Sequence, residues 1–496
     1  MKLPTSIGLF CALALVSAQP TNKEQKNVIL SISDGLGLPG LTMSREYVRN
    51  LETNGNFLNY TYQLPLDDDM VGSLRTSSAN TYITDSAAAG TAMATGKKTL
   101  NNALGVDVDG NAIGSVLEAA KLAGMHTALV TNSYVSDATP GAFNVHSQSR
   151  DDYWFIAEQI LGFRGALGIP AADIVIGGGY CPFIPKSAEG SCRPDDRDLL
   201  QEAQEKGWTV ARTIEELNEA DSAPLIGVFD EKAMNYTLDL SEDEPSLMQM
   251  AEKALEILIK LSNEDGKGFF IMVEEGIIDY AGHDNDPVAH VSSTLNHMNV
   301  HVRIKELLKQ INGETLVVAT SDHDTGQLGL GTSLPTDAEL GEYQWKPEVL
   351  ANAKHSGDYI SKRLRELTEI TSDVIIDAFR QYSGIEDPTE EEIKRVLDAE
   401  GSSSGLSDAF NIAVSNRARV GWTTRAHTAA DVPIYCYGSK YCDQFKGSIE
   451  NTELPQLIED YLKLDINNVS EMIKDFNTNA TEILGRDTND RDVNHQ

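Results

Sequence analysis

The sequence is poor in basic residues relative to acidic ones. Its 496 residues include 40 Lys and Arg but 75 Asp and Glu, which gives a formal net charge of −35 at pH 7. Nucleic acids and anionic membranes are bound through basic patches, so this balance argues against a nucleic-acid partner. It does not exclude an anionic substrate, because metal ions or one well-placed Arg can reverse the field inside a cleft.

Long apolar runs are scarce, and none after the N-terminus is long enough to cross a membrane. Residues 1–18, MKLPTSIGLFCALALVSA, contain Lys2, a short apolar run and small residues before Ala18. We interpret them as a secretory signal peptide, which leaves residues 19–496 as the mature chain. The polar C-terminus shows no lipid-anchor tail. We therefore expect a secreted protein, periplasmic in a bacterial host, with no membrane span.

Cysteine is rare, with five in the chain. Cys11 would leave with the signal peptide, and the other four form two local pairs, Cys181 with Cys192 and Cys436 with Cys442. In an oxidising compartment such pairs indicate two small disulfide loops, the alternative being free buried thiols. Four Asn-X-Ser/Thr sequons would permit glycosylation in a eukaryotic host. They are Asn59, Asn235, Asn468 and Asn479.

Short apolar runs alternate with helix-like stretches along most of the chain. The runs are NVILSIS, HTALVTN, GFFIMV and ETLVVAT, at residues 27–33, 126–132, 268–273 and 314–320. Continuous apolar runs are typical of strands buried on both faces. The pattern predicts an α/β fold with a large, mostly parallel central sheet and helices on both faces.

Residues 331–420 differ in character, since they are charged and mostly helical in pattern. We interpret them as an accessory helical insertion within the larger domain. Earlier, His297 and His301 lie in an amphipathic helical pattern. Their four-residue spacing suits a metal, but a packed or solvated helix face explains it more simply.

Acidic and imidazole side chains follow each of the four apolar runs. They are Asp34 after the first, Asp137 after the second, Glu274, Asp279 and His283 after the third, and Asp322 and His323 after the fourth. Any single one is weak evidence, because an Asp after a strand is usually part of a turn. Together they would line the carboxyl edge of the sheet, where open α/β sheets bind ligands. Carboxylates and imidazoles are ligands for zinc and for harder cations.

The stretch TDSAAAGTAMATGKKT, residues 84–99, places one Ser before a run of small residues. A structural interpretation makes Ser86 the cap of a tightly packed helix. A functional one makes it a nucleophile at a helix N-terminus, where the dipole favours an anion. A Ser hydroxyl is a weak nucleophile, so it would need a base or a metal.

The overlapping stretch ITDSAAAGT, residues 83–91, resembles the active-site signature of the alkaline phosphatase family. Further motifs occur in the family's order along nearly the whole mature chain. They are SDG at 33–35, DATP at 137–140, Arg150, EEGIIDYAGH at 274–283, SDHD at 321–324 and RAHTAADVP at 425–433. The resemblance implies an alkaline-phosphatase-like fold and hydrolysis of phosphate monoesters at alkaline pH.

The resemblance also implies residue roles. Ser86 would be the nucleophile, forming a phosphoseryl intermediate, and Arg150 would bind the phosphate. Two zinc ions and one magnesium are implied, and the family is typically homodimeric. The implied zinc ligands are Asp279, His283 and His427 for one ion and Asp34, Asp322 and His323 for the other; Asp34, Thr139 and Glu274 would hold magnesium. The resemblance favours Glu274 over Glu275, because Glu274 stands five residues before Asp279, as the family spacing requires.

Two positions depart from the common family pattern. Asp137 is Asp in some members and His in others, and would act on the third metal site without ligating it. Tyr280 stands where relatives often carry Lys or His. In position, residues 331–420 resemble the family's variable crown insertion.

Other functions remain as alternatives. A sulfatase or a phosphodiesterase on the same superfamily scaffold is the nearest. The sulfatase motif C/S-x-P-x-R is absent, and Ser86 stands where the diesterases use Thr. A non-enzymatic binding protein with the same fold would lack Ser86 or a ligand, and this sequence retains all of them.

Overall fold

The computed structural model describes residues 25–56, 58, 62–334 and 343–481. The predicted signal peptide, Cys11 and the sequon at Asn59 lie outside the described residues. No helix of the described part is long and apolar enough to cross a membrane.

Fourteen strands occur in the described residues. They are β1 (Lys26–Ser33), β2 (Met70–Arg75), β3 (His126–Tyr134), β4 (Ile174–Gly178), β5 (Thr209–Ala211), β6 (Leu225–Val228), β7 (Phe269–Glu275), β8 (Glu314–Thr320), β9 (Asp324–Thr325), β10 (Leu328–Leu330), β11 (Val420–Trp422), β12 (His427–Thr428), β13 (Val432–Tyr437) and β14 (Gly447–Glu450).

Seventeen α-helices accompany them in the same ranges. They are α1 (Leu38–Thr53), α2 (Ser86–Thr95), α3 (Val116–Leu122), α4 (Ala138–Asn144), α5 (Tyr153–Ile160), α6 (Leu199–Glu205), α7 (Ile214–Glu219), α8 (Leu247–Asp265), α9 (Ile277–His283), α10 (Pro287–Leu307), α11 (Pro347–Asn352), α12 (Gly357–Arg365), α13 (Ser372–Ala378), α14 (Glu390–Asp398), α15 (Ser403–Ala418), α16 (Glu453–Leu462) and α17 (Ile466–Ile473).

Ten strands form one sheet in the order β14-β2-β13-β8-β1-β7-β3-β4-β6-β5. All neighbours are parallel except β13, which runs antiparallel to β2 and β8. The four predicted strands are β1, β3, β7 and β8, and they are adjacent at the centre in the order β8-β1-β7-β3. This confirms the predicted large, mostly parallel sheet.

The central strands are buried on both faces, which explains their continuous apolar runs. Along β1, Val28, Leu30 and Ile32 pack into one apolar core and Ile29 into the core on the opposite face. Residues of α2, α3, α16 and α17 belong to the first core, and residues of α8 and α10 to the second. The sheet is thus covered by helices on both faces, as the sequence predicts.

Five consecutive helices, α11 to α15, occupy residues 347–418, which we call the helical segment. Its core includes Ile360, Ile375, Phe379 and Phe410. The same cluster includes Met43 of α1 and residues of α10, so the helical segment packs against these two helices.

Both predicted cysteine pairs form disulfides in the structure, Cys181 with Cys192 and Cys436 with Cys442. The first closes a loop after β4, and the second links β13 to the turn that follows it. His297 and His301 are both buried within α10, so the simpler interpretation of their spacing, a packed helix face, is confirmed.

Candidate active site

The carboxyl edge of the central sheet gathers the predicted polar residues. Asp34 directly follows β1, and Asp322 and His323 follow β8. Glu274 is the penultimate residue of β7. Because these three strands are parallel neighbours, their ends meet at one place. Gly35 permits this meeting, since its φ is +78° and a Cβ there would lie 2.6 Å from Cα of Asp279.

Ser86 is the first residue of α2 and is only 3% exposed. The helix is capped by Asp85, whose carboxylate accepts a hydrogen bond from the N–H of Ala88. The interpretation of Ser86 as the cap is therefore wrong, because Asp85 is the N-cap residue. The Ser86 hydroxyl is directed instead to His323, with Oγ 3.1 Å from Nε2.

The small residues after Ser86 allow α2 to lie close to α4. All ten residues of α2 are buried. A Cβ added to Gly90 would lie 3.0 Å from Cβ of Ala142 and 3.4 Å from Cα of Thr139, both in α4. Helix α4 carries Thr139 and begins after Asp137, so this close packing brings Ser86 near a second set of predicted site residues.

Asp34, Asp322 and His323 form a buried cluster. Their ligand atoms all lie within 4.8 Å of one another. Nε2 of His323 is 3.1 Å from Oδ2 of Asp322 and 3.5 Å from Oδ1 of Asp34. Neither of these oxygens accepts a hydrogen bond from the described residues. Three potential ligand atoms, two carboxylate oxygens and one imidazole nitrogen, thus converge.

The charges of this cluster are poorly compensated by protein groups. Burial, together with neighbouring Asp322, raises the pKa of Asp34 well above its ordinary value. Burial also raises the pKa of Asp322 to about 7 and that of Glu274 to about 8. Burial lowers the pKa of His323, so its imidazole is neutral and offers a lone pair. A shared cation would relieve the repulsion between these carboxylates.

Asp279, His283 and His427 form the adjacent cluster. Asp279 and His283 lie one turn apart on α9, with Oδ2 of the first 3.3 Å from Nε2 of the second. Nε2 of His427 is 3.0 Å from Nε2 of His283 and 3.5 Å from Oδ1 of Asp279. His323 contacts this group too, since its ring stacks on His427 with centroids 3.6 Å apart. The two clusters therefore share His323.

Backbone carbonyls orient both histidines of the second cluster. Nδ1 of His427 lies 2.9 Å from the carbonyl oxygen of Thr84, and Nδ1 of His283 lies 2.5 Å from that of Arg425. A carbonyl only accepts, so in both rings Nδ1 carries a proton and Nε2 is the nitrogen that faces the cluster. Burial lowers the pKa of His283, but Asp279 raises it overall to about 9, so this ring must give up the proton on Nε2 before it binds a metal. Burial would raise the pKa of Asp279, but the neighbouring His283 and His427 lower it overall.

Thr139 and Glu274 lie beside the first cluster. Oγ1 of Thr139 is 3.5 Å from Oδ2 of Asp34, and Oε2 of Glu274 accepts a hydrogen bond from Thr131 at 2.5 Å. Glu275 points elsewhere, because its carboxylate accepts from Asn132 and from Asn296 of α10, at 2.6 and 2.8 Å.

Arg150 contacts Asp85, the residue before Ser86, and Asp137. Its guanidinium lies 3.0 Å from Oδ1 of Asp137 and 3.6 Å from Oδ2 of Asp85. Tyr280 reaches the same carboxylate, since its hydroxyl donates to Oδ2 of Asp137 at 3.0 Å. Asp137 thus fixes Arg150 with one oxygen and contacts Tyr280 with the other.

The donor set of the two clusters fits divalent cations. Carboxylate oxygens and imidazole nitrogens converge, and within the described part of the chain Oδ1 of Asp34 and Oδ2 of Asp322 are buried without a hydrogen-bond donor. Orphaned buried oxygens of this kind are rare in folded proteins unless an ion or a water satisfies them. Imidazole with carboxylate is the ligand combination that suits zinc.

The sequence analysis missed several residues that support the site. Thr325 hydrogen-bonds Asp279 and lies 3.2 Å from Nδ1 of His323, which links the two clusters. Ser133 donates to Oδ2 of Asp137 at 2.7 Å. Thr325 comes two residues after His323. Ser133 directly follows the predicted strand at 126–132, lies within the observed β3 and is part of no motif. The other predicted residues come together at this edge.

Comparisons with known proteins agree with this geometry. A family model described as Alkaline phosphatase matches residues 25–464. The alkaline phosphatase of Schizosaccharomyces pombe is 38% identical over 461 residues, which cover 92% of this chain and 84% of that protein. The repressible alkaline phosphatase of Saccharomyces cerevisiae is 36% identical over 494 residues, covering 93% and 86%.

Solved structures give the same result. The crystal structure of the cold-active alkaline phosphatase from a psychrophilic Shewanella sp. matches with a TM-score of 0.74 and 28% identity, covering 88% of this chain and 99% of that one. The chain therefore belongs to the alkaline phosphatase family and is a phosphatase.

Proposed function

We propose that this phosphatase hydrolyses phosphate monoesters through a phosphoseryl intermediate on Ser86. The observation that carries the proposal is the position of Ser86 Oγ. It lies 3.1 Å from His323, the residue shared by two clusters of carboxylates and imidazoles, on the helix that packs against Thr139. A nucleophile and a concentration of metal ligands are thus brought to one point.

Two zinc ions and one magnesium are proposed as cofactors. Asp279, His283 and His427 would hold one zinc; Asp34, Asp322 and His323 the other; and Asp34, Thr139 and Glu274 the magnesium. When bound, these cations would neutralise the charge on the phosphoryl oxygens and on the entering and leaving oxygens of an in-line displacement. The free lone pairs described above support this assignment.

The protein's own groups bind and orient the substrate. Arg150 would donate two hydrogen bonds to non-bridging phosphate oxygens, because Asp137 and Asp85 hold its guanidinium beside Ser86. The N-terminus of α2 favours negative charge at Ser86 Oγ. Tyr280 would act through Asp137, where it restrains the carboxylate that fixes Arg150.

The reaction would take two displacements at phosphorus. In the first, a bond forms between Ser86 Oγ and phosphorus while the ester P–O bond breaks, and the alcohol leaves with a proton. In the second, water attacks the same phosphorus and the bond to Ser86 Oγ breaks. Inorganic phosphate is released and the Ser86 hydroxyl is restored.

An activity assay tests the proposal. Hydrolysis of an aryl phosphate monoester at alkaline pH would be measured for wild type, for wild type treated with chelator and then refilled with zinc and magnesium, and for Ser86→Ala. We expect activity to disappear with chelator, to return with metal, and to be largely absent in Ser86→Ala. Ser361→Ala, which changes a buried Ser of α12 outside the site, should remain active.

The same samples would be tested on an aryl sulfate and a phosphate diester. Folded, metal-loaded wild type that cleaves either of these and leaves the monoester intact would overturn the proposal. Full activity in Ser86→Ala would show that another residue is the nucleophile.

Secretion and a homodimeric state are part of the proposal. The two disulfides and the absence of a membrane-spanning helix among the described residues are consistent with secretion. Light scattering of the purified mature chain should give the mass of two chains, and N-terminal sequencing of the secreted protein should begin just after Ala18. Within this proposal, residues 331–420 are an accessory insertion, crown-like in its position.

A further inference from the structure

The helical segment contacts residues that lie next to two proposed metal ligands, His283 and His427. Nδ2 of Asn411, on α15, donates to the carbonyl oxygen of Asp284 at 3.1 Å, and Asp284 directly follows His283. One turn earlier on α15, Asp408 accepts from the guanidinium of Arg425 at 2.5 Å. Arg425 stands two residues before His427.

A third contact comes from α12. The backbone N–H of Gly357 donates to Oδ2 of Asp286 at 2.8 Å, while Oδ1 of Asp286 caps α10. A Cβ at Gly357 would lie 2.2 Å from Oδ1 of Asn411. No side chain other than hydrogen fits there without displacing Asn411. Helices α12 and α15 therefore meet tightly where they contact the loop after His283.

The contact of Asp408 reaches a proposed metal ligand through the backbone of Arg425. Its carbonyl oxygen lies 2.5 Å from Nδ1 of His283, which sets the tautomer and the direction of that ring. The side chain of the same residue is held by Asp408. Asp408, Arg425 and His283 thus form one connected series from the helical segment to the proposed zinc site.

Exposure explains why His283 needs this support. The side chain of His283 is 37% exposed, against 11% for His427 and 0% for His323. The other two rings are held by packing, and they stack on each other. The partly exposed ring depends more on the hydrogen bond to Arg425.

We propose that Asp408 and Asn411 of the helical segment are positioning residues for the zinc ligands His283 and His427, so that contacts outside the catalytic sheet determine how tightly zinc is retained. The inference rests on the proposed function, because it takes these histidines as zinc ligands. Asp408 and Asn411 do not touch the reacting atoms, and they act by fixing Arg425 and Asp284.

Zinc retention tests this inference in the full chain. Zinc-loaded wild type, Asp408→Asn, Arg425→Gln and Asn411→Asp would be mixed with a chromophoric chelator, and the release of zinc followed over time. We expect each variant to release its most labile zinc about tenfold faster than wild type, the lower end of effects measured for groups that orient metal ligands. Asp408→Glu should restore part of the retention.

The charge changes make the test specific. Asp408→Asn removes a negative charge near the site and Arg425→Gln a positive one, so a purely electrostatic effect on zinc would have opposite signs. If the two residues act by positioning, both variants should release zinc faster than wild type. The double variant should then release zinc no faster than either single variant. Opposite effects, or additive ones, would overturn the inference.

A matched control separates positioning from general stability. Arg417→Gln breaks ion pairs with Glu392 and Asp387 at the far end of α15. It should lower the unfolding temperature without changing zinc release. Wild-type release rates in Asp408→Asn and Asn411→Asp would overturn the inference alone. A wild-type chain that binds no zinc would overturn the proposed function, and this inference with it.

Discussion

At the scale of single residues, Arg150 is the cation that we propose binds the phosphate. Two carboxylates hold it, and burial of a lone guanidinium would otherwise lower its pKa, which Asp137 and Asp85 raise overall. Arg150→Ala should raise KM and weaken inhibition by inorganic phosphate. Each hydrogen bond to a charged group corresponds to about 1.5–3 kcal/mol, so losing two should reduce kcat/KM by at least about a hundredfold.

Steady-state kinetics with an aryl phosphate check this prediction. Arg303→Ala is the control and should behave like wild type. It changes an Arg of α10 that pairs with Glu252 of α8 and with Glu306. Phosphate inhibition that is unchanged in Arg150→Ala would contradict the assigned role.

A buried ion pair away from the site makes stability depend on pH. Nε2 of His146 lies 3.0 Å from Glu118, and Nδ1 lies 2.7 Å from the carbonyl oxygen of Gly105. Burial lowers the pKa of His146, but Glu118 and Gly105 raise it overall above the ordinary value. The folded state therefore holds this proton more tightly than the unfolded state.

The sign of the effect follows from that raised pKa. The contribution to stability is complete below the ordinary His pKa, about 6.5, and is lost as pH rises through the raised value. Urea unfolding of wild type and of His146→Gln should show a difference in unfolding free energy that shrinks toward alkaline pH. A difference that stays constant or grows would contradict the protonated assignment.

Sequence motifs predicted the site residues better than their partners. Asp34, Asp322 and His323 follow strands directly, so strand position alone brings them together. Ser133 and Thr325 were missed because a hydroxyl in a strand or turn has no periodic or motif signal. Thr325 acts on Asp279, 46 residues away, and the sequence does not specify that approach. Ser133 acts on Asp137, four residues on, but the sequence does not specify the direction of its hydroxyl.

At the scale of elements, Gly90 sets the spacing between α2 and α4. A Cβ there meets Ala142 at 3.0 Å, so a larger side chain must push the two helices apart. Gly90→Val should destabilise the fold by about 1–3 kcal/mol. It should also reduce activity, because Ser86 and Thr139 lie on the two separated helices.

Thermal unfolding and activity of the variant check this prediction. Gly329→Val on β10 is the control, since no atom of the described residues lies within 4 Å of a Cβ there and φ is ordinary. We expect it to leave both quantities near wild type. An active, stable Gly90→Val would show that the close approach of α2 and α4 is not required.

The sequence predicted the elements but not their order in the sheet. Continuous apolar runs identified β1, β3, β7 and β8, because strands buried on both faces leave that pattern. The antiparallel strand β13 between β2 and β8 left no such mark, since direction depends on the path of the chain between strands. The pattern of residues 331–420 predicted helices, and α11 to α15 occupy residues 347–418 of that range.

At the scale of the whole molecule, bound metal should contribute to stability. The site holds several buried carboxylates whose pKa values burial raises, so the metal-free protein carries uncompensated repulsion. A ligand present at a hundred times its Kd adds about 2.7 kcal/mol to the unfolding free energy. The unfolding temperature should therefore fall in chelator and recover with zinc and magnesium, as calorimetry would show.

Two controls refine that measurement. Asp322→Asn removes one proposed ligand and should reduce the shift on adding metal. Asp107→Asn removes a partly exposed carboxylate that is not a proposed ligand and whose hydrogen bonds are to Asp109 and Asn111 of its own turn, and it should keep the full shift. An unfolding temperature unaffected by chelator in wild type would contradict a structural contribution of metal.

The central claim is that Ser86 carries the phosphoryl group during turnover, and intact-protein mass spectrometry tests it directly. Wild type and Ser86→Ala would be incubated with an aryl phosphate monoester and quenched in acid, which stops hydrolysis of the intermediate. We expect part of the wild type to gain the mass of one phosphoryl group, located on the peptide that contains Ser86, and Ser86→Ala to gain none. A phosphoryl group on another residue, or an equal gain in Ser86→Ala, would contradict the account.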